Sequence, residues 1–296
     1  MKRRLTVLVA GLALAVASPG FAQESGTLKK IKDTGTIAVG HRDASMPFSY
    51  LDDKQQPIGY SMELCMKIVD AVKQKLNLPN LKVELVPVTS QTRIPLIANG
   101  TTDLECGSTT NSKERQKQAA FLYTTFVTGT KLLVKKSSNI RSYKDLKGKP
   151  VAVTAGTTNE RAMKELDAKE HLNIRFIPAK DHGESFLLVD SGRAVAFAMD
   201  DVLLYGLKAN AKNPDEYEVV GEFLSFDPYA IMIRKDDPDF KKLGDEVLAG
   251  LMKSGEIEKI YQKWFESPIP PKGVNLNLPM SDKLKEDFKN PNDEGA

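Results

Sequence analysis

Leu104-Glu105-Cys106-Gly107-Ser108-Thr109-Thr110-Asn111-Ser112-Lys113-Glu114-Arg115-Gln116 reads as the end of a buried strand, a turn of small hydroxyl residues and the start of a helix. Asn111 and Glu114 stand at capping-box spacing. Such a turn aims unpaired backbone N–H groups and short hydroxyls at one point, where a helix dipole favours an anion. Arg115, in the expected first helical turn, adds a planar and permanently charged fork suited to a carboxylate. Taken alone, the stretch is better described as a capped helix with a solvated arginine. Its surroundings decide.

Upstream, 27–33 reads as a short helix and 36–40 as a strand with a continuous apolar centre, as in a sheet buried on both faces. That strand runs into a polar loop closed by aromatics, His41 to Tyr50. Arg42 lies two residues beyond the strand, where binding residues gather in open α/β sheets. Tyr60, Leu64, Ile68 and Val72 are at helical spacing and predict a helix to about Leu76. Residues 81–87 alternate as a strand, which delivers Ser90 and Arg93 to a helix stopped by Asn99-Gly100. Repeated strand–loop–helix units predict a doubly wound α/β lobe.

Downstream the pattern recurs. Residues 126–134 form a long strand leaving the first lobe, and the strand at 151–154 feeds Thr157 and Glu160, again at capping-box spacing. A strand at 173–177 is followed by Lys180 to Ser185 and a helix. A strand at 194–199 ends at Asp200-Asp201, where one carboxylate can receive an ammonium while the other caps the next helix. Strands at 217–220 and 229–234 follow, the second returning to the first lobe. Helices at 238–253 and 256–265 precede a Pro-rich tail. Ile257, Ile260, Tyr261 and Trp264, at helical spacing, read as core.

The N-terminus carries Lys2, Arg3 and Arg4, an apolar run from Leu5 to Ala17, and Gly20-Phe21-Ala22 with small residues where a signal peptidase reads. The run is too short to span a membrane comfortably, so 1–22 is expected to be a secretory signal. It contains no cysteine to carry a lipid. Of 296 residues, 274 follow it, long enough for two lobes. The chain has 42 basic and 39 acidic residues, and the three basic residues of the signal account for the excess. The remainder is formally neutral and gives no reason to expect nucleic acid or an anionic membrane as a partner. The two cysteines, Cys65 on an expected helix and Cys106 at a strand end, leave both a disulfide and two free thiols open.

These segments resemble the periplasmic solute-binding proteins of amino-acid ABC transporters, family 3, over essentially the whole chain after the signal. The resemblance is carried by GHRDASMPFSY at 40–50, TSQTR at 89–93, ECGSTTN at 105–111, ERQKQAA at 114–120, AKDHG at 179–183, SGRAVAF at 191–197 and MDD at 199–201. It implies an α/β fold of two lobes, the type II periplasmic binding fold. Each lobe would be a mostly parallel sheet flanked by helices, and two crossing strands would join them. The expected division is lobe 1 at 23–128 and 229–296, and lobe 2 at 129–228.

By position, Arg115 resembles the residue that grips a ligand's α-carboxylate, helped by Thr110, while Ser108 and Asp200 match those that receive the α-ammonium. Arg42, Ser90, Arg93, Thr158 and His182 match those around a distal carboxylate. The implied function is capture of L-glutamate and L-aspartate between the lobes, in the periplasm, by a monomer that delivers them to an inner-membrane ABC permease. No cofactor is implied. Neither a Cys-x-x-Cys pair nor a histidine cluster argues for a metal, since His41, His171 and His182 are scattered. Three arginines against Asp200 would supply the positive surplus that a buried dianionic, monocationic ligand needs.

Cys65 and Arg161 depart from the family pattern. A neutral ligand such as glutamine is the alternative, against which Arg42 and Arg93 argue. A cyclohexadienyl dehydratase-like enzyme, with Asp200, Glu105 or His182 as acid or base, is the rival from another class. A secreted sensor acting through a membrane partner is the third.

Overall fold

The computed structural model describes residues 26–296. The expected signal, 1–22, lies outside them. The chain opens with α1 (Gly26–Thr34) and β1 (Thr36–His41), then a small antiparallel sheet of β2 (Ala44–Ser45), β3 (Ser49–Leu51) and β4 (Pro57–Ile58). α2 (Tyr60–Leu76) follows, starting where Gly59 (φ 135°) passes so close to the Phe48 carbonyl that a Cβ would lie 2.3 Å from its oxygen. Next come β5 (Lys82–Pro87), α3 (Arg93–Ala98), β6 (Leu104–Glu105) and β7 (Ala119–Phe121). β8 (Phe126–Thr128) crosses to β9 (Thr130–Lys135), β10 (Pro150–Thr154), α4 (Thr158–Glu170), β11 (Arg175–Ala179), α5 (His182–Asp190), β12 (Ala196–Asp200), α6 (Asp201–Asn210) and β13 (Tyr217–Val220). The chain returns through β14 (Asp227–Tyr229) to β15 (Met232–Arg234), α7 (Pro238–Ser254), α8 (Glu256–Phe265) and α9 (Asp282–Lys289).

Two five-stranded sheets result, in the orders β5-β1-β6-β15-β7 and β11-β10-β12-β9-β13. In the first, β1 runs parallel to β5 and β6, while β15 is antiparallel to both β6 and β7. In the second, β10 is parallel to β11 and β12, and β9 is antiparallel to β12 and β13. Each sheet therefore has one reversed strand, and it is the strand attached to the crossing. β8 and β14 pair antiparallel, Thr128 opposite Asp227 and Phe126 opposite Tyr229. Two such sheets, each flanked by helices and joined by crossing strands, are the expected α/β architecture.

The crossing rests on an aromatic cluster. Phe48 meets Phe126 edge-on at 4.9 Å between centroids, and Phe126 stacks on Phe265, also at 4.9 Å. Tyr261 and Phe265 of α8 stack at 4.4 Å. Ile257, Ile260, Tyr261 and Trp264 are buried, as their spacing predicts. Cys65 of α2 and Cys106, just beyond β6, form a disulfide.

Three differences from the sequence expectations have physical causes. No α-helix follows the hydroxyl turn: Arg115–Lys117 make a single 3-10 turn before the chain enters β7. There, pairing of Ala119 to Phe121 with β15 takes the backbone hydrogen bonds that a helix would need. The strand expected at 173–177 lies two residues later, because Asn173 has φ 54° and Ile174 N is held by Asp167 Oδ1 at 2.9 Å. The Pro-rich tail contains α9, whose Leu284 and Phe288 are buried.

Candidate functional site

The strand ends of both sheets deliver polar side chains to one buried zone. Arg42 follows β1, and its backbone N–H donates to Ser49 Oγ at 2.8 Å. Arg93 opens α3 and donates from Nη1 to the Ser108 carbonyl at 3.1 Å and to Thr109 Oγ1 at 2.5 Å. Thr109 in turn donates to Glu105 Oε2. From the second sheet come Thr158 at the start of α4, His182 at the start of α5 and Asp200 at the end of β12. The caps differ in detail from the sequence pattern: Thr157 Oγ1 accepts from Glu160 N, while Glu160 Oε2 accepts from Gly156 N rather than from Thr157 N.

The two lobes meet through these residues. Arg115 donates from Nη1 to the Thr110 carbonyl at 2.9 Å and from Nη2 to the Gly156 carbonyl at 3.3 Å. Thr110 and Thr158 both donate to Asp227 Oδ1 at 2.9 Å. Arg42 Nη2 lies 3.4 Å from His182 Nε2. Asp200 accepts from Asn159 Nδ2 at 2.7 Å and from the Tyr229 hydroxyl. Asp201 is the first residue of α6 and accepts from Val202 N and Thr128 Oγ1, both at 2.7 Å. The cap position belongs to Asp200, whose side chain makes no capping bond, so the expected carboxylate cap is not formed.

Arg42, Ser90, Arg93, Ser108, Thr110, Arg115, His182 and Asp200 are all buried. Four atoms of this set, Arg42 Nη1, Ser90 Oγ, Arg93 Nε and Ser108 Oγ, have no hydrogen-bond partner among the described residues. Buried polar atoms are ordinarily paired, so these four mark where polar groups of a ligand belong. Arg161, by contrast, is half exposed and reaches Glu114 at 3.4 Å and Glu165 at 3.8 Å, outside the zone.

Burial, and then the neighbouring Arg93, lower Arg42 to about 10 and Arg115 to about 9, so both remain cations at neutral pH. Burial, followed by Arg42 and Arg93, holds His182 well below the ordinary histidine range. Burial, followed by Asp227, pushes Asp200 well up. Glu105 and Asp227 were absent from the sequence-derived set, yet both are buried here and act on the arginines. The charge balance is therefore not three arginines against Asp200. Three arginines face Glu105, Asp200 and Asp227. Asn159 and Tyr229 were also missed, since their relation to Asp200 appears only in three dimensions.

A separate recess of about 880 Å³ lies among α7, α8 and α9 and is lined by Met252, Tyr261, Met280 and Phe288. None of the candidate site residues lines it.

Residues 37–267 match the family described as bacterial extracellular solute-binding proteins, family 3. The chain is 56% identical to the L-glutamate/L-aspartate-binding protein of Pseudomonas aeruginosa, with 98% of this chain and 96% of that one covered. It is 54% identical to the glutamate/aspartate import solute-binding protein of Salmonella typhimurium, covering 98% of each. Among solved structures, an ancestral arginine-binding protein bound to arginine superposes with a TM-score of 0.71 at 29% identity, covering 78% of this chain and 98% of that one.

Proposed function

This chain belongs to the bacterial extracellular solute-binding proteins of family 3, and from that membership we propose that it captures L-glutamate and L-aspartate between its lobes for an ABC import system. Lobe 1 comprises 23–128 and 229–296, and lobe 2 comprises 129–228. The protein works in the periplasm, as a monomer, and hands its ligand to an inner-membrane permease. It is a carrier and not an enzyme.

The observation that carries the ligand class is the group of unpaired buried atoms around two arginines: Arg42 Nη1, Arg93 Nε, Ser90 Oγ and Ser108 Oγ. The two guanidinium donors and the Ser90 hydroxyl suit an anionic side chain, because charge-assisted hydrogen bonds to a carboxylate are stronger than neutral ones, and Ser108 Oγ is left as an acceptor for an ammonium. Arg42, Ser90, Arg93 and His182 hold that distal carboxylate, with Thr158 beside them. Arg115, braced on the Thr110 carbonyl, grips the α-carboxylate. Ser108 and Asp200 receive the α-ammonium. A ligand touching both lobes stabilises the closed arrangement by its differential affinity for it.

A thermal-shift screen of the protein, freed of bound ligand, against the twenty amino acids tests this. Stabilisation follows ligand concentration relative to Kd. Shifts confined to glutamate and aspartate are expected. A shift with glutamine alone would keep the fold and overturn the role of Arg42 and Arg93. No shift, together with consumption of prephenate, would overturn the carrier assignment.

A further inference from the structure

The hydrogen bonds around His182 fix which ring nitrogen carries its proton. An arginine nitrogen can only donate, so His182 Nε2, 3.4 Å from Arg42 Nη2, is the bare nitrogen. Nδ1 therefore holds the proton and donates to Thr154 Oγ1 at 2.9 Å. Thr154 Oγ1 in turn donates to Ser185 Oγ at 2.8 Å, and Ser185 donates to the Asp181 carbonyl at 3.0 Å. Every donor in the relay is used once. The ring thus turns a lone pair toward the arginines.

That lone pair has a consequence for the acidic ligand proposed above, on which this inference rests. A carboxylate oxygen held by Arg42 beside a bare Nε2 places two electron pairs against each other, whereas a carboxamide would offer Nε2 an N–H. Charge balance points the same way. Once Asp200 is ionised against the ligand ammonium, Arg42, Arg93 and Arg115 face Glu105, Asp200 and Asp227, so a ligand of net charge −1 leaves the buried zone one positive charge short.

We propose that His182 enters the complex with an acidic amino acid as an imidazolium. Capture takes up one proton from the buffer at Nε2, and the protonation of this ring discriminates a carboxylate from a carboxamide side chain. The charges that act on the ring are those of Arg42, after β1, and Arg93, on α3. Asp181 and Glu105 act on Arg42, and Asp200, at the end of β12, acts on Arg93. Thr154 on β10 and Ser185 on α5 do not titrate.

The test is 15N NMR of the histidine rings in the purified protein, without and with glutamate, His182 being assigned by its loss in His182→Gln. The chain has three histidines, so the assignment is tractable. The ring should show a bare Nε2 in the free protein and two protonated nitrogens in the complex at neutral pH. The ratio of the glutamine Kd to the glutamate Kd should fall as pH rises, by up to ~10-fold per unit where the bound ring is charged and the free ring is not. Calorimetry alone would mix this uptake with any proton that Asp200 loses to the buffer as a ligand ammonium binds beside it, and the NMR signal separates them. A complex whose His182 stays neutral, or a Kd ratio flat between about pH 5 and about pH 8, overturns the proposal while leaving glutamate capture intact. Failure to bind glutamate at all overturns both.

Discussion

Thr110 and Thr158, one from each lobe, stand with their hydroxyl oxygens 3.2 Å apart and share a single acceptor, Asp227 Oδ1. Each hydroxyl has one proton, and both protons go to Asp227. The carboxylate lies at the start of β14, one of the crossing strands, and its Oδ2 accepts from Ser225. One hinge side chain thus fastens both walls of the cleft.

Removing that acceptor leaves three hydroxyls without it. Asp227→Ala is expected to destabilise the protein by about 1–3 kcal/mol, the usual cost of stranding buried polar groups. Asp227→Asn keeps one acceptor oxygen and should lose less. Urea unfolding curves for the two variants check the order. Equal losses would mean that the negative charge matters and the shared acceptor does not.

Arg115 links the lobes through two carbonyls, Thr110 and Gly156, while keeping donors for a ligand. Arg115→Ala should weaken glutamate binding by at least ~30-fold, since truncating one partner of a buried charged pair costs about 2–5 kcal/mol. Arg115→Lys, a point charge without the fork, should fall between that and the natural protein. Titration calorimetry measures both. Full affinity in Arg115→Lys would show that geometry is unimportant there.

The parts of this molecule legible in the sequence are those set by local repetition. Tyr60, Leu64, Ile68 and Val72 announce α2, and the apolar run at 36–40 announces β1, because burial on one helix face or both sheet faces leaves a periodic trace. What escaped is set by partners far along the chain. Asp227 takes hydrogen bonds from residues 117 and 69 positions away. Asn111 and Glu114 have the spacing of a helix cap, but the Asn111 amide donates to the Asp293 carbonyl, 182 positions on, and only a 3-10 turn forms. Eight of the nine site residues carried by family resemblance are linked in one zone with Glu105, Asn159, Asp227 and Tyr229, and the ninth, Ser90, is buried with its hydroxyl unpaired. No motif singles out Asn159, Asp227 or Tyr229, and Glu105 stood only as a rival acid or base.

The disulfide joins α2 to the loop that carries Ser108, closing 41 residues of chain. By the chain-entropy account, losing a loop of that size costs about 4 kcal/mol. Cys65→Ala with Cys106→Ala should therefore lower the urea midpoint substantially. Glutamate affinity should change little, because Arg93 still holds the Ser108 carbonyl and Asn111 N still donates to the Pro228 carbonyl at 2.7 Å. A large fall in affinity with normal stability would contradict this division of labour.

The last residues reach the same loop from behind. Ala296 N donates to the Asn111 carbonyl at 3.1 Å, and Lys113 N donates to the Ala296 carbonyl at 3.0 Å. The Gln116 and Asn111 amides both donate to the Asp293 carbonyl, and Asp293 pairs with Lys241 at 2.9 Å. These contacts bracket the turn that carries Arg115, although the family match stops at residue 267. A Cβ on Gly295 would lie 2.9 Å from Lys113 N and 3.0 Å from the Ser112 carbonyl carbon, so Gly295→Val cannot keep this packing. Gly295→Val should lift the segment from 112–113 and loosen Arg115, weakening glutamate and aspartate together by up to ~10-fold, while global stability falls by only about 1 kcal/mol. Calorimetry and urea unfolding on the same preparation compare the two effects. Unchanged affinity would show that Arg115 is positioned by the Thr110 and Gly156 carbonyls alone.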